Sequence, residues 1–186
     1  VPARTLNPTW SPDSKWVAYA SRLNTLYRAI FVANVETGEK KQITDGLADA
    51  TFPVWDPSGK YLWFFASTDF GLRSQWLDMT SYDREENFGL YLAILKKGEA
   101  SPLLPESDED KGASLEAPRA QAAPAPSPAP DATPSPSPAT GASSAPVNVV
   151  IDFDGLQQRI VSVTGVPERQ YSELKVGLSG TVYYLQ

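Results

Sequence analysis

The sequence predicts an all-β fold assembled from repeated four-stranded antiparallel units, and three observations carry that prediction. Asn7-Pro8-Thr9-Trp10-Ser11-Pro12-Asp13-Ser14-Lys15 returns 45 residues later as Phe52-Pro53-Val54-Trp55-Asp56-Pro57-Ser58-Gly59-Lys60. Residues 30–39 return as 90–99, keeping Ala33/Ala93, Gly38/Gly98 and Glu39/Glu99. The runs behind the two lysines, 16–20 and 61–66, are aromatic or aliphatic at consecutive positions, which suits strands buried on both faces. Self-similarity at this period marks an architecture of stacked units, and four strands per unit is the content of a propeller blade. Two units and part of a third cannot close a ring of about four to eight blades, so the expectation is a partial β-propeller.

The first unit spans 1–46. A short strand ends at Trp10, Ser11-Pro12-Asp13-Ser14 turns the chain, and the strand after Lys15 completes a hairpin. A third strand begins at Ile30, turns at Gly38 and returns to Ile43. The second unit spans 47–104. Its turn, Asp56-Pro57-Ser58-Gly59, fits type I closely: Asp accepts from the backbone, Pro fixes φ, and Gly takes the fourth place. The repeat offset then grows from 45 to 60, which places an insertion at 68–87. The return strand is expected to end at Leu103.

Residues 105–147 break the pattern. The acidic run 106–110 leads into a tract dominated by Ala, Pro and Ser, and nine of the 17 prolines lie from Pro118 to Pro146. Such a composition buries too little apolar surface to offset its ordering entropy, so disorder is expected. It reads as an insertion looping out of one propeller, with an inter-domain linker as the alternative. Residues 148–186 then supply blade-completing strands and the start of a further, degenerate blade. Two strands are expected around Asp154-Gly155, with a short helical turn at 156–159, followed by a hairpin from 171–178 and 181–185.

Composition excludes several functions. The chain has no His and no Cys, so no Ser–His or Cys–His pair, disulfide or thiol chemistry is available to it. The net charge of -6 and a pI near 4.7 leave no basic stripe for nucleic acid. No apolar run reaches the ~18 residues of a membrane span. No cofactor or metal is expected. Asp152-x-Asp154-Gly155 lacks the remaining ligands of a calcium loop, and Asp83, Glu85 and Glu86 sit in one polar loop with nothing to separate their pKa values. Lys175 and Ser179 belong to no catalytic motif.

The repeated positions Pro8, Trp10, Pro12, Lys15, Pro53, Trp55, Pro57 and Lys60 read as the structural signature of the repeat. Trp10, Trp16, Trp55, Tyr61 and Trp63 are expected to pack between blades. The candidate for function is the 68–87 loop, whose Phe70, Arg73, Trp76, Tyr82 and Arg84 are residue types that anchor partners. The alternative is that they pin the loop to its own blade.

These hairpins resemble the propeller repeat shared by TolB-type proteins and the tricorn peptidases. Ser81-Tyr82-Asp83-Arg84-Glu85-Glu86-Asn87-Phe88-Gly89-Leu90, then Ser101-Pro102-Leu103-Leu104, and Ile151-Asp152-Phe153-Asp154-Gly155-Leu156 narrow the resemblance to the propeller portion of tricorn-like serine peptidases. That likeness implies a scaffold and peptide gate for oligopeptide degradation, with catalytic residues elsewhere in a longer polypeptide of further blades, a PDZ-like module and a peptidase domain. Its partners would be that polypeptide and peptides. The uncovered outer sheets also predict self-association. The resemblance implies the cytoplasm, with the periplasm as the alternative. The competing reading is a TolB-type binding scaffold of the cell envelope without peptidase activity.

Overall fold

The computed structural model describes residues 6–69, 86–104 and 147–186. All of the strands lie in one compact unit formed by the chain on either side of residues 104–145. Among the described residues, two four-stranded antiparallel sheets and one two-stranded sheet are present. Blade 1 contains β1 (Thr9–Trp10), β2 (Trp16–Arg22), β3 (Arg28–Asn34) and β4 (Lys40–Gln42), paired in chain order. Blade 2 contains β5 (Asp49–Trp55), β6 (Tyr61–Ser67), β7 (Gly89–Ile94) and β8 (Ile160–Ser162), also in chain order. The third hairpin pairs β9 (Glu173–Val176) with β10 (Val182–Leu185).

The turn chemistry explains the hairpins. In blade 2 the Gly59 N–H donates to the Asp56 carbonyl at 2.9 Å, and the Ser58 N–H donates to the Asp56 carboxylate at 2.9 Å. Gly59 sits at φ +71°, where an L side chain is strained. Blade 1 uses Ser14 at φ 60° for the same turn. The residues before the repeated prolines, Asn7 and Phe52, also share positive φ, at 39° and 51°. At Phe52 this accompanies a bulge between Thr51 and Val54 in the β5–β6 ladder.

Strand burial follows from what lies on each face. Every residue of β6 is buried, because blade 1 covers one face and the third hairpin the other. In β2 only Ala18 and Ala20 are buried, since these are the side chains turned toward blade 2. Two cores result. The first joins Ala18, Ala20, Ile30 and Val32 of blade 1 to Trp55, Leu62 and Phe64 of blade 2. The second joins Trp63, Phe65, Leu90 and Leu92 to Tyr171 and Leu174 of the third unit.

The return strand expected to end at Leu103 does not form, whereas the blade-completing strand expected within 148–186 does. Residues up to Leu103 form no strand; Ile160–Ser162 pairs with β7 instead, setting Ile160 opposite Ala93 and Ser162 opposite Tyr91. Pro102 cannot donate to a ladder, and the Ser101 hydroxyl accepts the Leu103 N–H in a local turn. Leu103 packs on the second core without pairing. Residues 95–159 therefore separate the third and fourth strands of blade 2.

Beyond the insertion, one expected strand is replaced by a bracket. The 3-10 turn forms at Leu156–Arg159, but residues 147–153 take no place in a sheet. The Val149 N–H donates to Asp13 at 2.9 Å, the Lys15 ammonium reaches Asn148 at 3.2 Å, and the Asp152 N–H donates to the Leu95 carbonyl at 3.0 Å. Arg159 ties this bracket down through the Ile94, Leu95, Asp152 and Asp154 carbonyls.

Candidate functional site

The first strands of the three units converge. The Trp55 indole N–H donates to the Thr9 carbonyl at 3.1 Å, and β5 in turn adjoins β9. Between them lies an open cavity of about 460 Å³, lined by residues 7–9 of blade 1, 52–54 of blade 2 and 173–176 of the third hairpin. Each unit thus contributes its first strand, or the residues leading into it, to one groove. Two of the three walls carry the left-handed residue and proline of the repeat, Asn7-Pro8 and Phe52-Pro53, so neither proline offers an N–H. Glu173 and Lys175 alternate with buried Leu174, which places both charged side chains on the solvent side of β9. The Asn7 side-chain amide nitrogen is buried and has no hydrogen-bond partner among the described residues. The groove can accept a polar chain through Glu173 and Lys175 and seat an apolar side chain against Phe52.

Carboxylates clasp the units around this groove. Asp49 of β5 is fully buried and takes the Arg28 guanidinium of β3 and the Arg28 N–H, the latter at 2.7 Å. Asp56, also fully buried, accepts from Ser58, from the Ser179 hydroxyl at 2.8 Å and from the Gly180 N–H at 2.7 Å, tying blade 2 to the third hairpin. Burial pushes its pKa up, but the donors from Ser58, Gly180 and Ser179 outweigh it and hold the carboxyl below the ordinary aspartate range. In blade 1 the roles are exchanged: Ser11 occupies the place of Asp56, and Asp13 that of Ser58. Asp13 is likewise held low, burial being outweighed by Ser11, the Val149 N–H and the Lys15 N–H.

The repeat signature divides in the structure. Trp55, Trp63 and Tyr61 are buried, at 3%, 2% and 8% exposure, and Pro53 is fully buried. Trp16 is half-buried against Phe153, at 6.0 Å between ring centroids. Trp10, expected in an inter-blade layer, is 59% exposed, because no described residue covers the face of blade 1 on which it lies. Pro8, Pro12 and Pro57 are exposed; Lys60 pairs with Glu99 at 2.7 Å. Asp152 accepts the Lys97 N–H at 2.8 Å and Asp154 is almost fully exposed, so the two belong to a turn rather than to one ligand set. Phe70, Arg73, Trp76, Tyr82 and Arg84 lie outside the described residues. The groove itself was missed in the sequence; the repeated X-Pro dipeptide at its wall was the available signal.

The backbone matches that of the tricorn protease over 95% of the chain, with a TM-score of 0.55 at 14% identity. The chain is a partial β-propeller. It spans 14% of that much longer tricorn chain, and at this identity the likeness concerns the fold. In sequence the propeller is 31% identical over 64 residues to the Tol-Pal system protein TolB of Alcanivorax borkumensis, covering 34% of this chain and 15% of that protein. The crystal structure of TolB from Acinetobacter baumannii is similar over 47% of this chain and 18% of its own, at 27% identity and a TM-score of 0.33. No protein-family model matches the chain. Among the described residues no helix is long and apolar enough to cross a membrane.

Proposed function

We propose that this propeller is a non-catalytic segment of a tricorn-like serine peptidase that degrades oligopeptides, serving as scaffold and peptide gate. The groove carries the reading: three successive units converge on one open cavity lined by Asn7, Phe52 and the exposed Glu173 and Lys175. An extended peptide has carbonyls for the Lys175 ammonium, N–H groups for the Glu173 carboxylate, and side chains for Phe52. The chemistry of bond cleavage would come from other parts of the polypeptide, because this chain has neither His nor Cys. The cytoplasm is the compartment that goes with this reading.

The test uses the full-length polypeptide. Glu173→Trp narrows the groove from an exposed position. Turnover of oligopeptides should fall by about tenfold or more in kcat/KM, while a small chromogenic substrate is cleaved at the unaltered rate. Equal loss on both substrates would remove the gate, and absence of peptidase activity from the full-length protein would remove the peptidase reading.

The short stretch of 31% identity to TolB favours a second reading, a protein-binding propeller scaffold of the cell envelope. In that case the same groove would hold a protein partner, and affinity chromatography on envelope extracts would recover it while full-length protein leaves peptides intact.

A further inference from the structure

One tripeptide occurs in two different settings. Asp45-Gly46-Leu47 and Asp154-Gly155-Leu156 have closely similar intrinsic chemistry, so their surroundings set them apart. Gly46 is buried, and a Cβ there would lie 2.4 Å from Leu23. The Asp45 carboxylate accepts the Leu47 N–H at 2.9 Å. Gly155 stands at φ +64° in open surroundings, where a Cβ meets nothing nearer than 3.8 Å. Among the described residues its N–H donates to no acceptor. The Asp154 side chain is 97% exposed, and the Lys97 ammonium, itself exposed and 3.7 Å away, holds it weakly.

A free main-chain nitrogen beside an unrestrained carboxyl permits ring closure. The Gly155 nitrogen attacks the Asp154 side-chain carboxyl carbon and a C–N bond forms. One carboxyl oxygen leaves as water, taking the amide proton and the acid proton. A second water then opens the succinimide at either carbonyl. Opening at the side-chain carbonyl restores aspartate, whereas opening at the main-chain carbonyl breaks that carbon's bond to nitrogen and leaves isoaspartate. Only water is consumed or released, and the composition is unchanged. The two carbonyls are not equivalent here. The Arg159 guanidinium donates to the Asp154 main-chain carbonyl at 2.9 Å. It therefore stabilises the charge that develops there on water attack, and then pairs with the carboxylate released. We propose that Asp154-Gly155 is a self-modification site at which the folded chain converts itself to isoaspartate, with Arg159 directing the product. The product runs the main chain through the side-chain methylene. One backbone atom is thereby inserted into the bracket, inside the turn closed by the Leu156 N–H on the Phe153 carbonyl at 3.3 Å. Arg159 also holds the Leu95 and Asp152 carbonyls, and its turn toward the new carboxylate loosens the seam before β8. The inference rests on these groups and is independent of any peptidase activity.

Ageing of the full-length polypeptide at neutral pH in heavy-oxygen water tests it, with electron-transfer fragmentation of its peptides to tell isoaspartate from aspartate. In the folded protein isoaspartate should accumulate at residue 154 about tenfold or more faster than at 45, while in urea the two sites should agree within about threefold. Equal rates at 45 and 154 in the folded protein overturn the site. Incorporated heavy oxygen counts both products of ring opening. Their ratio at 154, isoaspartate to aspartate, should be about threefold higher in the folded protein than in urea, and a ratio no higher overturns the part assigned to Arg159. Hydrogen exchange of the aged fraction should quicken at residues 152–162; unchanged exchange there overturns the loosening.

Discussion

The Trp55 indole N–H reaches across from blade 2 to the Thr9 main-chain carbonyl of blade 1 at 3.1 Å, while its ring is buried in the core between the two sheets. One side chain thus joins the sheets by both apolar contact and a hydrogen bond. Trp55→Ala should destabilise the chain by about 3–5 kcal/mol in urea titrations. Trp55→Phe, which keeps much of the ring and loses the donor, isolates the smaller polar contribution of about 1 kcal/mol. Trp10→Ala, on the uncovered face, should stay within about 0.5 kcal/mol in the same 186-residue chain.

Asp49 is fully buried and its carboxylate is held by Arg28 from the neighbouring blade. Arg28→Ala should cost about 3–5 kcal/mol, because it leaves a buried charge without its partner. Since the pair is largely shielded from solvent, the difference between wild type and variant should change little between low and moderate salt. Thermal unfolding at two ionic strengths reads both quantities.

Asp13 and Asp56 are both depressed below the ordinary aspartate value of 3.8. The sign follows from linkage: a carboxyl more acidic in the folded than in the unfolded chain stabilises fully above the unfolded pKa. That stability is lost as pH falls through the folded pKa. Acid titration followed by tryptophan fluorescence should therefore show a flat signal above about pH 4 and a loss of structure below it. Asp56→Asn should be less stable at neutral pH by about 1–3 kcal/mol, since its amide cannot accept from all the buried donors, and should show a shallower acid limb.

Gly59 and Gly98 separate two effects of a methyl group. Both have positive φ, at +71° and +81°, but a Cβ at Gly98 meets nothing within 4 Å, whereas one at Gly59 would lie 2.8 Å from Val147 and 2.9 Å from Val149. Gly98→Ala should cost about 1–2 kcal/mol, the backbone strain alone. Gly59→Ala should cost more, and hydrogen exchange should show the excess as loosening at residues 147–149.

Periodicity and turn chemistry made the two blades legible, down to the Asp56–Gly59 turn and the consecutive burial of β6. The third unit was visible as a hairpin because Ser179-Gly180 separates two apolar runs. Sequence reasoning failed where partners are remote. Leu103 has the pattern of a return strand, but Pro102 and the Ser101 turn deny it a ladder, and the strand that takes the place lies beyond the insertion. Trp10 and Trp55 are equivalent in sequence; only the presence of blade 1 beside one of them makes their environments differ. The groove draws Asn7, Phe52 and Glu173 from three separate units, and no local window contains them. The five loop residues from Phe70 to Arg84 lie outside the described residues.

β8 joins β7 from beyond residues 95–159, so the chain leaves blade 2 after Ile94 and re-enters the same sheet at Ile160. If the Pro/Ala/Ser tract between them is disordered, as its composition predicts, doubling its length raises the closure cost by only about 0.6 kcal/mol. Evolution can therefore lengthen, shorten or rewrite this segment almost freely, and a fluorescent protein or an epitope spliced into it should leave the host domain standing.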